Sequence, residues 1–172
     1  DLAVLDELTR LSNRRQFLQQ IQQEMAEARR LNQSLALVIA DLDHFKPIND
    51  RYGHLSGDQV LRAFTETVAL ALPANASAGR LGGEEFGFLL PDTGLIAAVE
   101  IANVWRSKAG AIQHQLRPAS HEGDAKSETA AVTASFGVAV LQPNMQIPSD
   151  FLRVADFKLY EAKSAGRNRV CG

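Results

Sequence analysis

The stretch Arg80-Leu81-Gly82-Gly83-Glu84-Glu85-Phe86-Gly87-Phe88-Leu89-Leu90 sets two apolar arms on either side of a glycine pair. It reads as two strands joined by a tight turn, for which paired glycines supply the positive φ angles. Glu84 and Glu85 then sit at the tip of the hairpin. Neighbouring anions on a turn repel one another and work against folding unless a cation or a donor offsets them. A solvated turn would tolerate the two carboxylates. Two successive glycines, however, also let a large ligand approach the backbone closely, which an ordinary turn does not require.

Upstream, Ser34 to Asp41 (SLALVIAD) is a short apolar run with β-branched residues, too short for a typical helix. It predicts a buried central strand. The strand closes on Asp41-Leu42-Asp43, and alternation of side chains puts both aspartates on one face with Leu42 on the other. Two carboxylates at a strand end can hold Mg²⁺, although a lone Asp-x-Asp is more often a helix cap or a surface pair.

The remaining segments supply the frame. From about Asn13, Phe17, Ile21, Met25 and Ala28 mark the apolar face of a helix. A short helical piece containing Pro47 is expected to end near Gly53, and a longer one carries Val60, Leu61, Phe64 and Val68 before Pro73. Thr93 is a candidate cap for a helix running to about Ile112, with Ile96, Val99 and Trp105 on its apolar side. Residues 113 to 129 are polar and read as a long surface loop without assigned function. The alternation through Val132, Ala134, Phe136, Val138 and Val140 predicts a half-buried strand. Ser149 is a candidate cap for a last helix with Leu152, Ala155, Leu159 and Ala162, stopped by Gly166. The order is β, α, α, β, β, α, β with flanking helices, an α+β class. There is no internal repeat and no interior linker, so the 172 residues form one domain.

Composition narrows the function. Apolar residues are 45% and charged residues 22%, as in a folded globular protein. The net charge of −2 provides no basic field for a nucleic-acid partner. Cys171 is the single cysteine, so the chain has no disulfide framework, which fits a cytoplasmic setting. No apolar run approaches the roughly 18 residues of a membrane span, and no membrane contact by the domain itself is expected. The chain starts at Asp1 and reads as a domain taken from a longer protein, whose membrane or sensor parts would lie outside this sequence.

Lys46, Lys163 and Arg167 could offset phosphate charge, the last two lying one helical turn apart at a helix end. Asn49 and Asp58 form a polar pair at the start of the second helix, with His54 between them. A carboxylate such as Asp58 can accept from guanine N1–H and the exocyclic amine, whereas adenine offers no such donor pair. A strand end and a hairpin tip that share a metal, with lysine and arginine nearby, make the arrangement of a palm-type phosphoryl-transfer enzyme.

GGEEF at 82 to 86, with DELTRLSNRRQF, DLDHFKPINDRYGHLSGD, VTASFGVA and YEAKSAGRNRV in order from near Asp6 to Val170, resembles the GGDEF family of diguanylate cyclases. The resemblance implies an adenylyl cyclase/polymerase palm-like fold with a ferredoxin-like βααββαβ core, its central antiparallel sheet flanked by helices. It implies that two GTP condense to cyclic di-GMP with release of two pyrophosphates, by metal-dependent attack of a 3′-hydroxyl on an α-phosphate across a homodimer. It further implies Mg²⁺ or Mn²⁺ held by Asp41, Glu84 and the backbone carbonyl of Leu42, with Glu85 able to join. Glu84 would be the base for the 3′-hydroxyl, and Glu84, Glu85 and Lys46 the catalytic residues. Asn49 and Asp58 would read guanine and His54 would lie in the same region. Lys46, Lys163 and Arg167 would contact phosphates, and Arg80 would serve substrate binding.

The departures from the family pattern are Arg10 in place of a glycine, Ser12 in place of a proline, and Pro73-Ala74-Asn75-Ala76 where many members carry an inhibitory Arg-x-x-Asp motif. A non-catalytic module sensing GTP or cyclic di-GMP is the alternative, which retention of Asp41, Glu84 and Glu85 disfavours. A different nucleotidyl transferase on the same palm is a third, for which Asp58 and Asn49 discriminate.

Overall fold

The computed structural model describes residues 3–119 and 126–172. In chain order the elements are α1 (Arg14–Leu31), β1 (Leu35–Leu42), α2 (Phe45–Tyr52), α3 (His54–Leu70), β2 (Ser77–Arg80), β3 (Glu85–Pro91), α4 (Leu95–Gly110), β4 (His114–Leu116), β5 (Glu128–Ala130), β6 (Ala134–Val140), α5 (Pro148–Ser164) and β7 (Val170–Cys171). The five-stranded sheet runs β2-β3-β1-β6-β7, with β4 and β5 as a separate pair. Strands β2, β3, β1 and β6 are antiparallel neighbours, but β7 lies parallel to β6. The sheet is therefore mixed, not wholly antiparallel as expected. Parallel neighbours need a crossover between them, and α5 provides it.

The run read as a buried strand is the middle of this sheet. Ala36, Val38, Ala40 and Leu42 face a core shared with Phe64, Phe86, Phe88 and Trp105, while Leu35, Leu37 and Ile39 face one shared with Phe17, Ile21, Phe151 and Ala155. Helices α3 and α4 thus cover one face and α1 and α5 the other. Asn13 caps α1 by accepting from Gln16 N–H at 2.9 Å, and the periodic residues of that helix meet the sheet. Burial of side chains as large as Phe17, Ile21 and Met25 stabilises the docked helix by about 1.5–3 kcal/mol each.

Three local expectations are corrected. Strand β6 is buried on both faces, not one. A Cβ on Gly137 would lie 2.2 Å from the Ala155 carbonyl oxygen, so α5 crosses directly on the face that small residues open. The cap residues also differ. Gly94, not Thr93, precedes α4, and the Thr93 hydroxyl donates to the Pro91 carbonyl instead. Helix α5 begins at Pro148, where the missing N–H costs nothing, and the Asp150 carboxylate, not Ser149, accepts from Gln146 and Ile147 N–H. Finally, the stretch 113–129 is not all loop. It contains β4 and most of β5, and His114 and Leu116 are buried.

Candidate active site

The catalytic candidates come from neighbouring backbone at the end of β1. Asp41 pairs across the ladder with Glu85, and the Leu42 N–H donates to the Glu84 carbonyl at 3.2 Å. The turn itself is closed by Leu81 N–H on the Glu85 carbonyl at 2.8 Å. Its glycines behave differently from the expectation, since neither Gly82 nor Gly83 has a positive φ. A Cβ on Gly83 would meet nothing within 4 Å, and one on Gly82 only the Glu85 Cβ at 3.9 Å. The fold leaves open space above the turn, which suits close approach of a ligand.

Arg80 holds the turn. Its guanidinium donates to the Gly83 carbonyl at 2.7 Å, to Gly82 at 3.1 Å, and to both oxygens of Asp6 at 3.2 Å. Burial would raise the Asp6 carboxyl, but hydrogen bonds from Thr9 and the charge of Arg80 hold it below the usual range. Arg80, expected to bind substrate, lines the cleft while its donors brace the turn from below.

That cleft brings together most of the predicted residues. Lys46, Asn49, His54, Asp58, Arg80 and Glu84 line one open cleft of about 530 Å³, with Phe45, Asp50, Leu61 and Gly83. Its size suits a nucleotide. The Asn49 Oδ1 is buried without a hydrogen-bond partner, and a Cβ on Gly57 would lie 1.9 Å from it. Glycine at 57 is what lets α3 approach α2 with this amide wedged between them. A buried acceptor without a partner is costly, and here it belongs to a residue of the cleft wall. Lys46 reaches Asp50 at 2.9 Å on the exposed rim.

Lys163 and Arg167 are not among the residues lining this cleft. The Lys163 ammonium instead bridges Asp41 and Asp43, 2.8 Å from an oxygen of each. Asp43 is 2% exposed and also accepts from Thr133, Ser135 and the Asn168 N–H. Burial pushes its pKa up, but the hydrogen bonds from Lys163, Ser135 and Thr133 outweigh that and hold it below the usual value. Asp43, paired with Asp41 in the sequence reading, is thereby saturated and serves to hold Lys163. Arg167 is exposed, with φ of 65°.

Glu85 lines a second cleft of about 390 Å³ between α1, the turn and α5, with Arg14, Leu18, Leu81, Ser149, Leu152, Arg153 and Asp156. Burial, then the charges of Asp156 and Asp41, push its carboxyl up to about 7. Asp156 is itself raised by burial. Among the described residues no group of three or more acids, histidines or cysteines is placed to hold a metal. The candidate donors remain the carboxylates of Asp41, Glu84 and Glu85 and the Leu42 carbonyl. These hard oxygens fit Mg²⁺ or Mn²⁺, and Asp41 already carries a cationic partner in the Lys163 ammonium. Asp156, Arg14 and Asp6 escaped the sequence reading. Each lies far along the chain from the group it faces, and only the position of Asp156 beside the apolar face of α5, between Leu152 and Leu159, marks it.

A palm-like sheet, an acidic turn beside its central strand and a cleft of amide, basic and acidic groups define a nucleotidyl-transfer domain of the cyclase type. The family model described as diguanylate cyclase, GGDEF domain, matches residues 3–169, and the chain belongs to this family. The chain is similar to the uncharacterized protein YhcK of Bacillus subtilis, 39% identical over 98% of this chain and 45% of the relative. It is 33% identical to the probable diguanylate cyclase DgcT of Escherichia coli, over 99% of this chain and 36% of that protein. The chain thus spans less than half the length of these curated relatives. Among solved structures, the GGDEF domain of DgcB from Caulobacter crescentus, in complex with c-di-GMP, matches with a TM-score of 0.88 and 31% identity, covering 99% of this chain and 96% of that one.

Proposed function

We propose that this domain condenses two GTP molecules into cyclic di-GMP and releases two pyrophosphates. The observation that carries the reading is the single cleft in which Glu84 meets Asn49 and Asp58. The Asp58 carboxylate supplies the acceptors that guanine's N1–H and exocyclic amine require, adenine would leave the acid unpaired, and Asn49 lies beside it in the cleft wall to read the base. Lys46 at the rim, and Lys163 and Arg167 at the end of α5, are the cations for the phosphates. His54 borders the base.

Asp41, Glu84 and the Leu42 carbonyl would hold Mg²⁺ or Mn²⁺. When bound, the metal neutralises charge on the α-phosphate and acidifies the attacking 3′-hydroxyl. Glu84 takes the proton from that hydroxyl, and Arg80 keeps the turn at the height this requires. Glu85 joins as a reserve carboxylate. One cleft accommodates one GTP, so two domains must face each other as a homodimer for the two attacks to occur. GTP is an intracellular nucleotide, which places the reaction in the cytoplasm whether or not the parent protein is anchored to a membrane. Among the described residues, no helix is long and apolar enough to cross a membrane.

Incubation with GTP and Mg²⁺ at high protein concentration, followed by chromatography, tests the reading. Cyclic di-GMP and pyrophosphate in a 1:2 ratio are expected. Saturable GTP binding without any product would establish a sensing module instead.

A further inference from the structure

The described residues of the stretch 113–129, to which the sequence reading gives no function, with Ala130 beyond it, make polar contacts to α2 and α3. Leu116, His114 and Val132 anchor it in the core. Its other side grips helices α2 and α3 away from the cleft. Glu128 of β5 accepts from Arg51 on both oxygens, Nη2 to Oε1 at 2.7 Å and Nε to Oε2 at 3.1 Å, and from the Tyr52 hydroxyl at 2.7 Å. The Ala119 N–H donates to the Arg51 carbonyl at 2.9 Å, satisfying one of the carbonyls that α2 leaves open at its end. The Gln59 amide donates to the Gln115 carbonyl at 3.2 Å. The contacts adjoin the cleft residues along the chain. Asn49 and Asp50 line the cleft and Arg51 and Tyr52 are held by the arm; Asp58 lines the cleft and Gln59 is held.

We propose that the β4–β5 arm, through Glu128, is the positioning element that sets α2 against α3 at the spacing needed to read a guanine base. This rests on the reading of Asn49 and Asp58 as the base-reading residues. An eight-residue helix such as α2 is too short to be stable alone, so its position is set by whatever holds it. Phe45, Ile48 and Tyr52 pack it on the core, the wedge of Asn49 over Gly57 sets its approach to α3, and Glu128 holds its C-terminal end through Arg51 and Tyr52. The ion pair is exposed, with side-chain exposures of 59% and 39%, so it adds little to global stability. Its effect is local, on where Asn49 sits relative to Asp58.

Steady-state kinetics on the whole domain test this, with GTP and with inosine triphosphate, which lacks the exocyclic amine. For Glu128→Ala, KM for GTP rises about fivefold while kcat stays within about twofold and the melting temperature within about 2 °C, the scale of an exposed but bidentate pair. The preference for GTP over inosine triphosphate shrinks. Arg51→Gln has an effect of the same size, the double variant is no worse than either single one, and Glu128→Gln, which retains an acceptor for Tyr52, falls between. A KM unchanged in Glu128→Ala, or a loss confined to kcat, overturns the proposal. Asp58→Ala run in parallel separates the two readings. If it abolishes the preference while Glu128→Ala does nothing, the arm proposal alone is wrong. If Asp58→Ala leaves the preference intact, the assignment of base recognition fails and the arm proposal with it.

Discussion

Replacing Asp43 with asparagine keeps the shape of the side chain and removes its charge and one acceptor. The native carboxylate accepts at Oδ2 from the Thr133 hydroxyl at 2.7 Å and the Asn168 N–H at 3.0 Å. At Oδ1 it accepts from the Ser135 hydroxyl at 2.7 Å and Lys163 at 2.8 Å. Whichever way the amide turns, its NH₂ faces two donors. Hydrogen bonds to a charged acceptor contribute about 1.5–3 kcal/mol each, and hydroxyls can rotate away, so the lower end of the two-bond sum, about 3 kcal/mol, applies. For a domain of this size about 1 kcal/mol corresponds to roughly 2–4 °C, which gives a fall of roughly 6–12 °C in melting temperature. Thermal unfolding followed by circular dichroism in chelator, at several pH values, measures it. The folded pKa of Asp43 lies below its ordinary value. Its stabilisation is therefore complete above the unfolded value of about 3.9 and is lost as pH falls through the folded pKa. The gap between the two proteins is expected to hold from neutral pH to about 4 and to narrow below that. A fall under about 2 °C at neutral pH, or a gap that narrows as pH rises, refutes the reasoning.

Glu84→Gln is expected to lower product formation at least about a hundredfold with the melting temperature unchanged, because it takes charge from a solvent-facing turn and not from the core; chromatography and calorimetry check both halves. Gly57→Ala places a methyl 1.9 Å from the Asn49 oxygen and is expected to raise KM for GTP about tenfold by displacing that amide, which initial-rate kinetics measure. Glu85→Gln removes a carboxyl that burial and the charges of Asp156 and Asp41 hold at about 7. A raised carboxyl pKa makes the wild type lose stability as pH climbs from about 4.3 towards 7, so in chelator the variant is expected to melt above the wild type by a margin that widens through that window. Pro73 and Ala76 provide neither the cation nor the acceptor of an Arg-x-x-Asp site. Calorimetry with the cleft blocked by a non-hydrolysable GTP analogue is expected to show no saturable micromolar binding of cyclic di-GMP.

Features that depend on near neighbours in the chain were legible in the sequence. The apolar run before Asp41 became the central strand because its composition is right for burial on both faces. The spacing of Phe17, Ile21, Met25 and Ala28 became α1 because one helix face must meet the sheet. The residues lining the cleft could be named because the motif that carries Asn49, His54 and Asp58 is continuous in the chain, running from α2 into the first turns of α3. Tertiary packing decided what depends on distant partners. Asp43 and Asp41 are alike in sequence, yet 125 positions separate Asp43 from the Asn168 N–H that helps saturate it, and only the fold makes one aspartate a saturated anchor and leaves the other with Lys163 as its one side-chain partner among the described residues. Glu84 and Glu85 are adjacent and identical, but they line different clefts because successive residues leave the turn on opposite sides, and Asp156 from α5 faces only the second. The polar stretch 113–129 carries no periodic signal, since its β4–β5 pairing and its grip on Arg51 and Gln59 are set by contacts between segments far apart in the chain.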